Sequence, residues 1–313
     1  MQKEISIQGK KIVYRVNGNG HPVVLVHGFG ENSDVWDQVI GGPPQTPPKE
    51  GLVKEQKTGN DYSLTEKFQI IIPDLPGSGQ SELIDDMSIE GMADAIKQIL
   101  DAEIVNLNFT KPEKNSGQKE SSKVPPTGGF KWTIIGHSMG GYITLAFAEK
   151  YPDSLNAFGL FHSTAYADSD EKKVTREKGI EFIEKHGAFE FLKTSTPNLF
   201  SAKTRDKRPE MIVEQIAGLN NFSAAALVLY YRAMMQRPDR TAVLKETSLP
   251  VLFIMGKYDV AAPLKDVLEQ CHLPEKSYIH ILQDSGHMGM LEEPKKSNFI
   301  LNKFLEAITN NPA

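Results

Sequence analysis

Hydrophobic residues form two kinds of run along this chain, and both kinds predict strands. Near the start, Ile5 and Ile7 alternate with polar residues, and residues 12–16 do the same after a predicted Gly9-Lys10 turn, as expected of strands that are buried on one face only. Later runs are short and nearly continuous, at residues 23–26, 68–73 and 250–256. Continuous apolar runs of this length are typical of strands that are buried on both faces of a parallel sheet. The pattern therefore predicts a sheet with a half-exposed edge and a buried centre.

Helical periodicity appears between these runs. Ser88 is a suitable N-cap for a helix whose apolar positions repeat every three or four residues over 89–100. Similar patterns predict helices over 141–148 and from about 294 to 308. Because strands and helices alternate, we expect a doubly wound α/β domain built on a parallel sheet.

One long segment interrupts this alternation. Residues 163–247 have helical patterns and no strand candidate, yet they lie between two predicted strands of the sheet. We therefore expect a core domain made of residues 1–162 and 248–313, with residues 163–247 inserted into it as a helical cap.

Two further segments, at about 41–63 and 106–130, are rich in Pro, Gly and charged residues and follow neither period. Both lead into the amino ends of predicted strands, which places them opposite the face where sites form in such sheets. We expect that neither contacts substrate, and that they form mobile surface loops or a surface for a partner or a second copy.

Composition narrows the function classes. The 313 residues carry a net charge of −5 and only one cysteine, Cys271, with a pI near 5.9. No basic patch indicates nucleic-acid binding, no run is long enough to cross a bilayer, and one cysteine excludes an internal disulfide. The amino-terminal residues lack the apolar core of a signal peptide, so we expect a cytoplasmic protein. The oligomeric state stays open.

The sequence Gly-His-Ser-Met-Gly at 136–140 joins a predicted strand at 131–135 to the helix that begins near 141. Strand, G-x-S-x-G and helix in this order predict a nucleophile elbow, a tight turn that projects a serine hydroxyl above the sheet. Ser138 is then the candidate nucleophile.

A serine nucleophile needs a base, and the base needs a carboxylate to orient it. His287 follows the predicted strand that ends near 282, and Asp259 follows the strand that ends at 256. The order Ser, Asp, His along the chain is the one expected of α/β-hydrolases. Asp168 is the main competing acid because it follows the preceding strand, whereas Asp284 lies in the loop that approaches His287 and is expected to be solvated.

The turn His27-Gly28-Phe29-Gly30 follows another buried strand. We expect the backbone amides of Phe29 and Met139 to form the oxyanion hole, with His27 and Gly28 beside the substrate. The alternative is a glycine-rich turn that only packs.

The predicted cap contains many aromatic and aliphatic residues, and most of them are expected to pack helices against each other. We expect the remainder, including Tyr230 and Met234, to line an apolar pocket above Ser138. An uncharged, apolar acyl group suits such a pocket.

Taken together, these motifs resemble those of the α/β-hydrolase superfamily, in the branch that carries a helical cap. The matching segments are HGFG at 27–30, DLPGSGQS at 74–81, GHSMGG at 136–141, GKYDVAAP at 256–263 and SGHMGMLEEP at 285–294. The resemblance implies a mostly parallel, eight-stranded sheet flanked by helices, with Ser138, Asp259 and His287 as the catalytic triad. Haloalkane dehalogenase-like and epoxide hydrolase-like members have an aspartate where this chain has serine, which disfavours both activities.

The predicted function is therefore a serine hydrolase that cleaves a carboxylic ester or related acyl substrate, without a metal or cofactor. Lactonase, thioesterase, carbon–carbon bond hydrolase and cofactor-free perhydrolase activities use the same residues and stay open. So do a slowly hydrolysing signalling receptor and a non-catalytic interaction protein.

Overall fold

A computed structural model describes residues 1–41, 63–109 and 131–310 of the chain. The two irregular segments at 41–63 and 106–130 fall almost entirely outside the described residues. Their predicted position, opposite the candidate site, stays a prediction.

The described residues form one eight-stranded sheet. Its strands are β1 (Gln2–Ile7), β2 (Lys10–Asn17), β3 (His21–Val26), β4 (Phe68–Pro73), β5 (Trp132–His137), β6 (Leu155–Phe161), β7 (Pro250–Gly256) and β8 (Lys276–Leu282). Their order across the sheet is β1-β2-β4-β3-β5-β6-β7-β8. β2 is antiparallel to both of its neighbours, and every other pair is parallel. The predicted mostly parallel, eight-stranded sheet is confirmed.

Burial follows the sequence pattern of each strand. β5 and β7 are buried along their whole length, whereas β1 alternates between exposed and partly buried positions at the sheet edge. β1 and β2 are joined by Gln8 and Gly9, whose φ angles of 53° and 77° are those of a tight hairpin turn. Ile7 pairs with Lys10, so this turn lies one residue earlier than the Gly9-Lys10 turn that the sequence predicts.

Helices cover both faces of the sheet. They are α1 (Asp37–Ile40), α2 (Ile89–Phe109), α3 (Met139–Lys150), α4 (Asp170–His186), α5 (Ala188–Ser195), α6 (Ala202–Lys207), α7 (Pro209–Ala217), α8 (Ala224–Gln236), α9 (Thr241–Glu246), α10 (Leu264–Leu268), α11 (Gly289–Glu292) and α12 (Pro294–Asn310). Among the described residues, no helix is both long enough and apolar enough to cross a membrane.

Alternate residues of the central strands point into two separate cores. Val24 and Val26 of β3 belong to the core shared with α2 and α3, whereas Val23 and Leu25 pack with α1 and α12. All four side chains are completely buried. Burial of each side chain stabilises the fold by about 1.5–3 kcal/mol, so the central strands are held from both faces.

Helices α4 to α9 lie between β6 and β7 along the chain. The structure describes this part completely, and it has no strand between Ser163 and Leu249. This inserted part of the chain contacts the loops at the carboxyl ends of the strands: the Tyr230 hydroxyl donates to the Pro76 carbonyl at 2.7 Å, and the His287 amide donates to the Leu199 carbonyl, between α5 and α6, at 2.6 Å. The inserted helices therefore cover the predicted site; their division from the core as a separate cap domain stays a prediction.

Candidate active site

Ser138 occupies a sharp turn between β5 and α3. Its backbone has φ 52° and ψ −116°, in the region of positive φ that non-glycine residues rarely adopt. Such strain is typical of a nucleophile elbow. The turn is fixed by two hydrogen bonds: the Ser138 amide donates to the Phe161 carbonyl at 3.0 Å, and the Ser163 hydroxyl donates to the Ser138 carbonyl at 2.7 Å. Ser138 itself is partly exposed.

The glycines on either side of Ser138 are required by close backbone contacts. A Cβ atom added at Gly136 would lie 2.1 Å from the Gly140 carbonyl oxygen, and one at Gly140 would lie 2.5 Å from the Val26 carbonyl oxygen. Neither position has room for a side chain. The two glycines of the motif thus let α3 begin directly against β5 and β3.

His287 and Asp259 form a buried pair at the carboxyl ends of β8 and β7. His287 Nδ1 lies 2.8 Å from Asp259 Oδ2 and 3.0 Å from Oδ1. The amides of Ala261 and Ala262 each donate to Oδ1 at 2.9 Å. Asp259 is therefore fixed by its own loop and can accept a hydrogen bond from His287.

Each member of this pair stabilises the charged form of the other. Burial alone would lower the pKa of His287, but the negative charge of Asp259 and its hydrogen bond outweigh burial and raise that pKa above its usual value. Burial alone would raise the pKa of Asp259, but the charge of His287 and the hydrogen bonds from its neighbours hold that pKa well below its usual range. At neutral pH Asp259 is a carboxylate.

The competing acid, Asp168, has other partners. Its carboxylate is completely buried and pairs with Arg176 at 2.5 Å and with Arg237 at 2.9 Å. Asp284, nearest to His287 in sequence, is half exposed and pairs with Lys203. The structure therefore brings Asp259, and neither of these two acids, to His287.

The loop after β3 passes directly beside Ser138. A Cβ atom added at Gly28 would lie 3.1 Å from Ser138 Cβ. The Gly28 amide donates to Glu31 Oε2 at 2.7 Å, which fixes the backbone before Phe29, a predicted oxyanion donor. Met139, the other predicted donor, is the first residue of α3, where amides have no partner inside the helix.

A buried histidine links this loop to the loop of His287. His137 Nδ1 lies 3.0 Å from Glu31 Oε2, and its Nε2 lies 2.9 Å from the His287 carbonyl oxygen. Each ring nitrogen of His137 thus faces an oxygen that can accept, and its ring forms a buried pair with the Glu31 carboxylate. Burial opposes the charge of Glu31, but His137 holds its pKa below the usual value. This chain of contacts connects the predicted oxyanion loop, the elbow and the candidate base.

Three of the four predicted substrate contacts have almost no accessible surface. His27 is completely buried; its Nδ1 donates to the Gly28 carbonyl at 2.8 Å, and its Nε2 accepts from the Leu75 amide at 2.9 Å. Tyr230 is also completely buried, and Met234 is 2% exposed. The predicted contacts of these three residues with substrate stay a prediction. Gly28 does lie beside Ser138.

Aromatic rings from the inserted helices surround Phe29. The Phe29 ring stacks on Tyr231 at 4.4 Å between centroids, and meets Phe191 edge-on at 6.2 Å. Tyr230 packs against the same ring at 6.3 Å. The apolar wall near the predicted oxyanion hole is thus built by Phe29, Phe191 and Tyr231, which are buried less completely than Tyr230.

Asp259 faces a second histidine that sequence reasoning did not select. His162 Nδ1 lies 2.8 Å from Asp259 Oδ2, the same oxygen that His287 Nδ1 contacts at 2.8 Å. One polar atom from each of these three residues lies within 4.8 Å of the others, a spacing that could suit a metal ion. The carboxylate faces both ring nitrogens at hydrogen-bond distances, which identifies a hydrogen-bonded cluster. The predicted independence of the reaction from metals and cofactors stays a prediction.

The position of His162 in the sequence could have indicated that it belongs to this site. This residue directly follows β6, whose carboxyl end lies at the same edge as those of β5, β7 and β8. Glu31 and His137 gave no comparable signal, because their contact joins residues 106 positions apart. Cys271 is buried, and burial raises the pKa of its thiol to about 11.

Comparison with known proteins agrees with this architecture. Lipase 1 of Psychrobacter immobilis is 24% identical over 306 residues, which cover 91% of this chain and 77% of the lipase. The 3-oxoadipate enol-lactonase 1 of Acinetobacter baylyi is 23% identical over 308 residues, covering 96% and 95% of the two chains. The structure of a thermophilic esterase from Thermogutta terrifontis superposes with a TM-score of 0.78 at 24% identity, over 98% of this chain and 99% of the esterase.

The family model described as "Alpha/beta hydrolase family" matches residues 23–297. This match extends from β3, before the candidate oxyanion loop, to α12, beyond the candidate base. It includes every residue of the candidate triad and all of the inserted helices. The chain therefore belongs to the alpha/beta hydrolase family.

Proposed function

We propose that this protein is a serine hydrolase that cleaves carboxylic esters or related acyl compounds through an acyl-enzyme. The observation that carries the proposal is the hydrogen-bonded pair of His287 and Asp259, linked through His137 to the strained turn of Ser138. A nucleophile, a base and an orienting carboxylate are the three groups that this reaction requires.

In the proposed first half-reaction, Ser138 Oγ attacks the substrate carbonyl carbon while its proton moves to His287 Nε2. Asp259 stabilises the resulting imidazolium. The negative oxygen of the tetrahedral intermediate accepts hydrogen bonds from the amides of Phe29 and Met139, each worth about 10²–10³ in rate. The intermediate then expels the alcohol, which takes the proton from His287.

In the second half-reaction, water attacks the acyl-enzyme and gives its proton to His287. The new intermediate releases the carboxylic acid, and the proton returns to Ser138 Oγ. Because the base must be neutral to accept a proton, activity falls on the acid side as His287 becomes protonated. Asp259 raises the pKa of His287 above its usual value of about 6.5, so we expect the acid limb of the rate profile to lie above this pH.

An apolar acyl group remains the best candidate for the bound part of the substrate. Phe29, Phe191 and Tyr231 form an aromatic wall beside the predicted oxyanion donors, and such walls are typical of pockets for apolar ligands. The enol-lactonase relative matches almost the full length of the chain, which favours a lactone as the second candidate substrate class.

The test uses nitrophenyl esters of increasing acyl length, together with simple lactones. We expect Ser138→Ala to lower kcat by about 10⁶-fold, as when a triad nucleophile is removed. Ser154→Ala is the matched control, because Ser154 lies beside the amino end of β6, on the opposite edge of the sheet. A fluorophosphonate should label Ser138 in the native protein and leave the alanine variant unlabelled. Turnover that survives in Ser138→Ala would refute the mechanism.

A further inference from the structure

His162 occupies a position with no role in the proposed reaction. Its side chain is completely buried, and its backbone has a φ of 52°. This backbone conformation is unfavourable for a residue with a side chain, and such residues concentrate at functional sites. It turns the chain immediately after β6, and the imidazole lies between the loops of β7 and β8.

Two glycines make room for the His162 ring. A Cβ atom at Gly256 would lie 2.8 Å from His162 Cε1, and one at Gly289 would lie 2.3 Å from His162 Nε2. The ring therefore fits between the start of the Asp259 loop and the start of α11, just after His287. A larger residue at either glycine would displace it.

The contacts of the ring fix its protonation state. Nδ1 lies 2.8 Å from Asp259 Oδ2, which can only accept, so Nδ1 carries the hydrogen. Nε2 is buried and has no hydrogen-bond partner among the described residues. A second proton there would make Nε2 a buried N–H donor without an acceptor, which is unfavourable. His162 is therefore neutral, in the Nδ1–H form.

Asp259 has a complete set of donors as a result. Oδ1 accepts from the Ala261 and Ala262 amides, and Oδ2 accepts from His162 and His287. The backbone donors restrain one oxygen, and His162 restrains the other. Without His162, Oδ2 would keep only the hydrogen bond from His287 among these donors.

We propose that His162 is a positioning residue that holds Asp259 Oδ2 through a neutral N–H, so that the carboxylate stays aligned with His287 while its charge remains available to the imidazolium. The proposal rests on the proposed function, since it assigns Asp259 to the triad. A charged group at this position would instead compete with His287 for the same carboxylate. The neighbouring Ser163 holds the Ser138 carbonyl, so β6 supports two members of the triad through adjacent residues.

Other charged groups near the pair come from separate elements. Glu31 and Glu292 both raise the pKa of His287, and His137 packs against its ring at 4.8 Å between centroids. Burial is the main cause that lowers the pKa of His162. A change at His162 leaves these other groups in place, so its effect on the acid limb of the rate profile can be separated from theirs.

The experiment compares two variants of the full chain. His162→Asn keeps an N–H donor near the position of Nδ1, and asparagine tolerates positive φ better than most residues. His162→Leu keeps comparable bulk and removes the donor. Both are assayed for kcat and kcat/KM against pH, and their thermal midpoints are measured to separate stability from catalysis.

We expect His162→Leu to lower kcat by about 10–100-fold, the value of a lost hydrogen bond to a charged group. Its acid limb should move to higher pH by about 0.5–1 unit, because a carboxylate with one donor fewer attracts the His287 proton more strongly. His162→Asn should restore the limb. A folded leucine variant with the wild-type kcat and limb, or an asparagine variant with the leucine-like shift, would overturn the proposal.

A measurement on the unchanged protein covers the case in which the leucine variant does not fold. With ¹⁵N-labelled histidine, His162 should show a protonated Nδ1 and an unprotonated Nε2 that do not titrate between about pH 6 and 9. The Nε2–H form, or titration in this range, would overturn the proposal. This result does not depend on turnover, so it is separable from failure of the Ser138 mechanism.

Discussion

Replacing Asp259 by asparagine removes a negative charge and also replaces one of its two hydrogen-bond acceptors, a carboxylate oxygen, with an NH₂ donor. Oδ1 accepts from two backbone amides, those of Ala261 and Ala262, both at 2.9 Å. These amides can only donate, so the asparagine oxygen has to occupy the Oδ1 position. The NH₂ group then takes the Oδ2 position, where it faces Nδ1 of both His287 and His162.

This orientation favours the wrong tautomer of His287. Its Nδ1 lies closer to the Oδ2 position, at 2.8 Å, than to the Oδ1 position, at 3.0 Å, so it accepts from the asparagine NH₂. Its hydrogen then moves to Nε2, which can no longer take the proton of Ser138. The same exchange at a triad aspartate lowers kcat by about 10⁴-fold. This loss corresponds to about 5.5 kcal/mol of transition-state stabilisation.

The assay measures nitrophenyl ester turnover together with thermal unfolding. Asp284→Asn is the surface control: this carboxylate is half exposed and lies three residues before His287, so kcat should stay within about twofold, as expected of an exposed ion pair. Asp168→Asn tests the competing acid. It breaks a buried pair with two arginines and should cost about 3–5 kcal/mol of stability, while the folded enzyme keeps its kcat.

Two outcomes would refute this reasoning. One is a folded Asp259→Asn variant that keeps more than about a tenth of the wild-type kcat, against the expected 10⁴-fold loss. The other is an Asp168→Asn variant that stays folded and loses as much activity as Asp259→Asn, which would move the acid to the loop after β6.

Two further variants test the contacts that hold the loops of the site together. Glu31→Gln removes the negative charge that faces the buried His137, and it should cost about 3–5 kcal/mol of stability in urea unfolding and about 10²-fold in kcat. The control Asp34→Asn changes an exposed neighbouring carboxylate and should alter neither stability nor kcat. Equal stability of the two variants would contradict the pairing of Glu31 with His137. Glu292→Gln offers one acceptor where three donors converge, and should cost about 1–3 kcal/mol of stability with a lower kcat. An unchanged thermal midpoint would show that this carboxylate does not join the loops.

The strands, and whether each is buried on one face or on both, could be predicted from the sequence because both depend on the local pattern of hydrophobic residues. Continuous apolar runs identified β3, β4 and β7, and the rule that sites form at the carboxyl ends of parallel strands placed Asp259 and His287 at one edge. The hairpin after β1 was misplaced by one residue, because positive φ at Gln8 follows from the pairing of Ile7 with Lys10 rather than from residue type.

The supporting contacts could not be predicted, since they join residues far apart in sequence. His162 and Asp259 are 97 positions apart, and Ser201 and Glu292 are 91 apart. The inserted helices posed a different difficulty. Because α8 is apolar on most of its surface, the spacing of its hydrophobic residues does not show which side packs and which side could face a ligand. In the structure, Tyr230 and Met234 lie on the side that packs.

The carboxylate of Glu292 joins the inserted helices to the loop of the candidate base. It accepts from the Gly286 amide at 2.7 Å and from the Ser201 amide at 2.9 Å, while the His287 amide donates to Leu199. Residues 199–201 thus contact the loop of the candidate base and also belong to the inserted part of the chain. In a chimera that takes its specificity from a relative, the exchanged segments should therefore lie within 170–195 and within 209–236, so that residues 199–201 stay with the candidate triad.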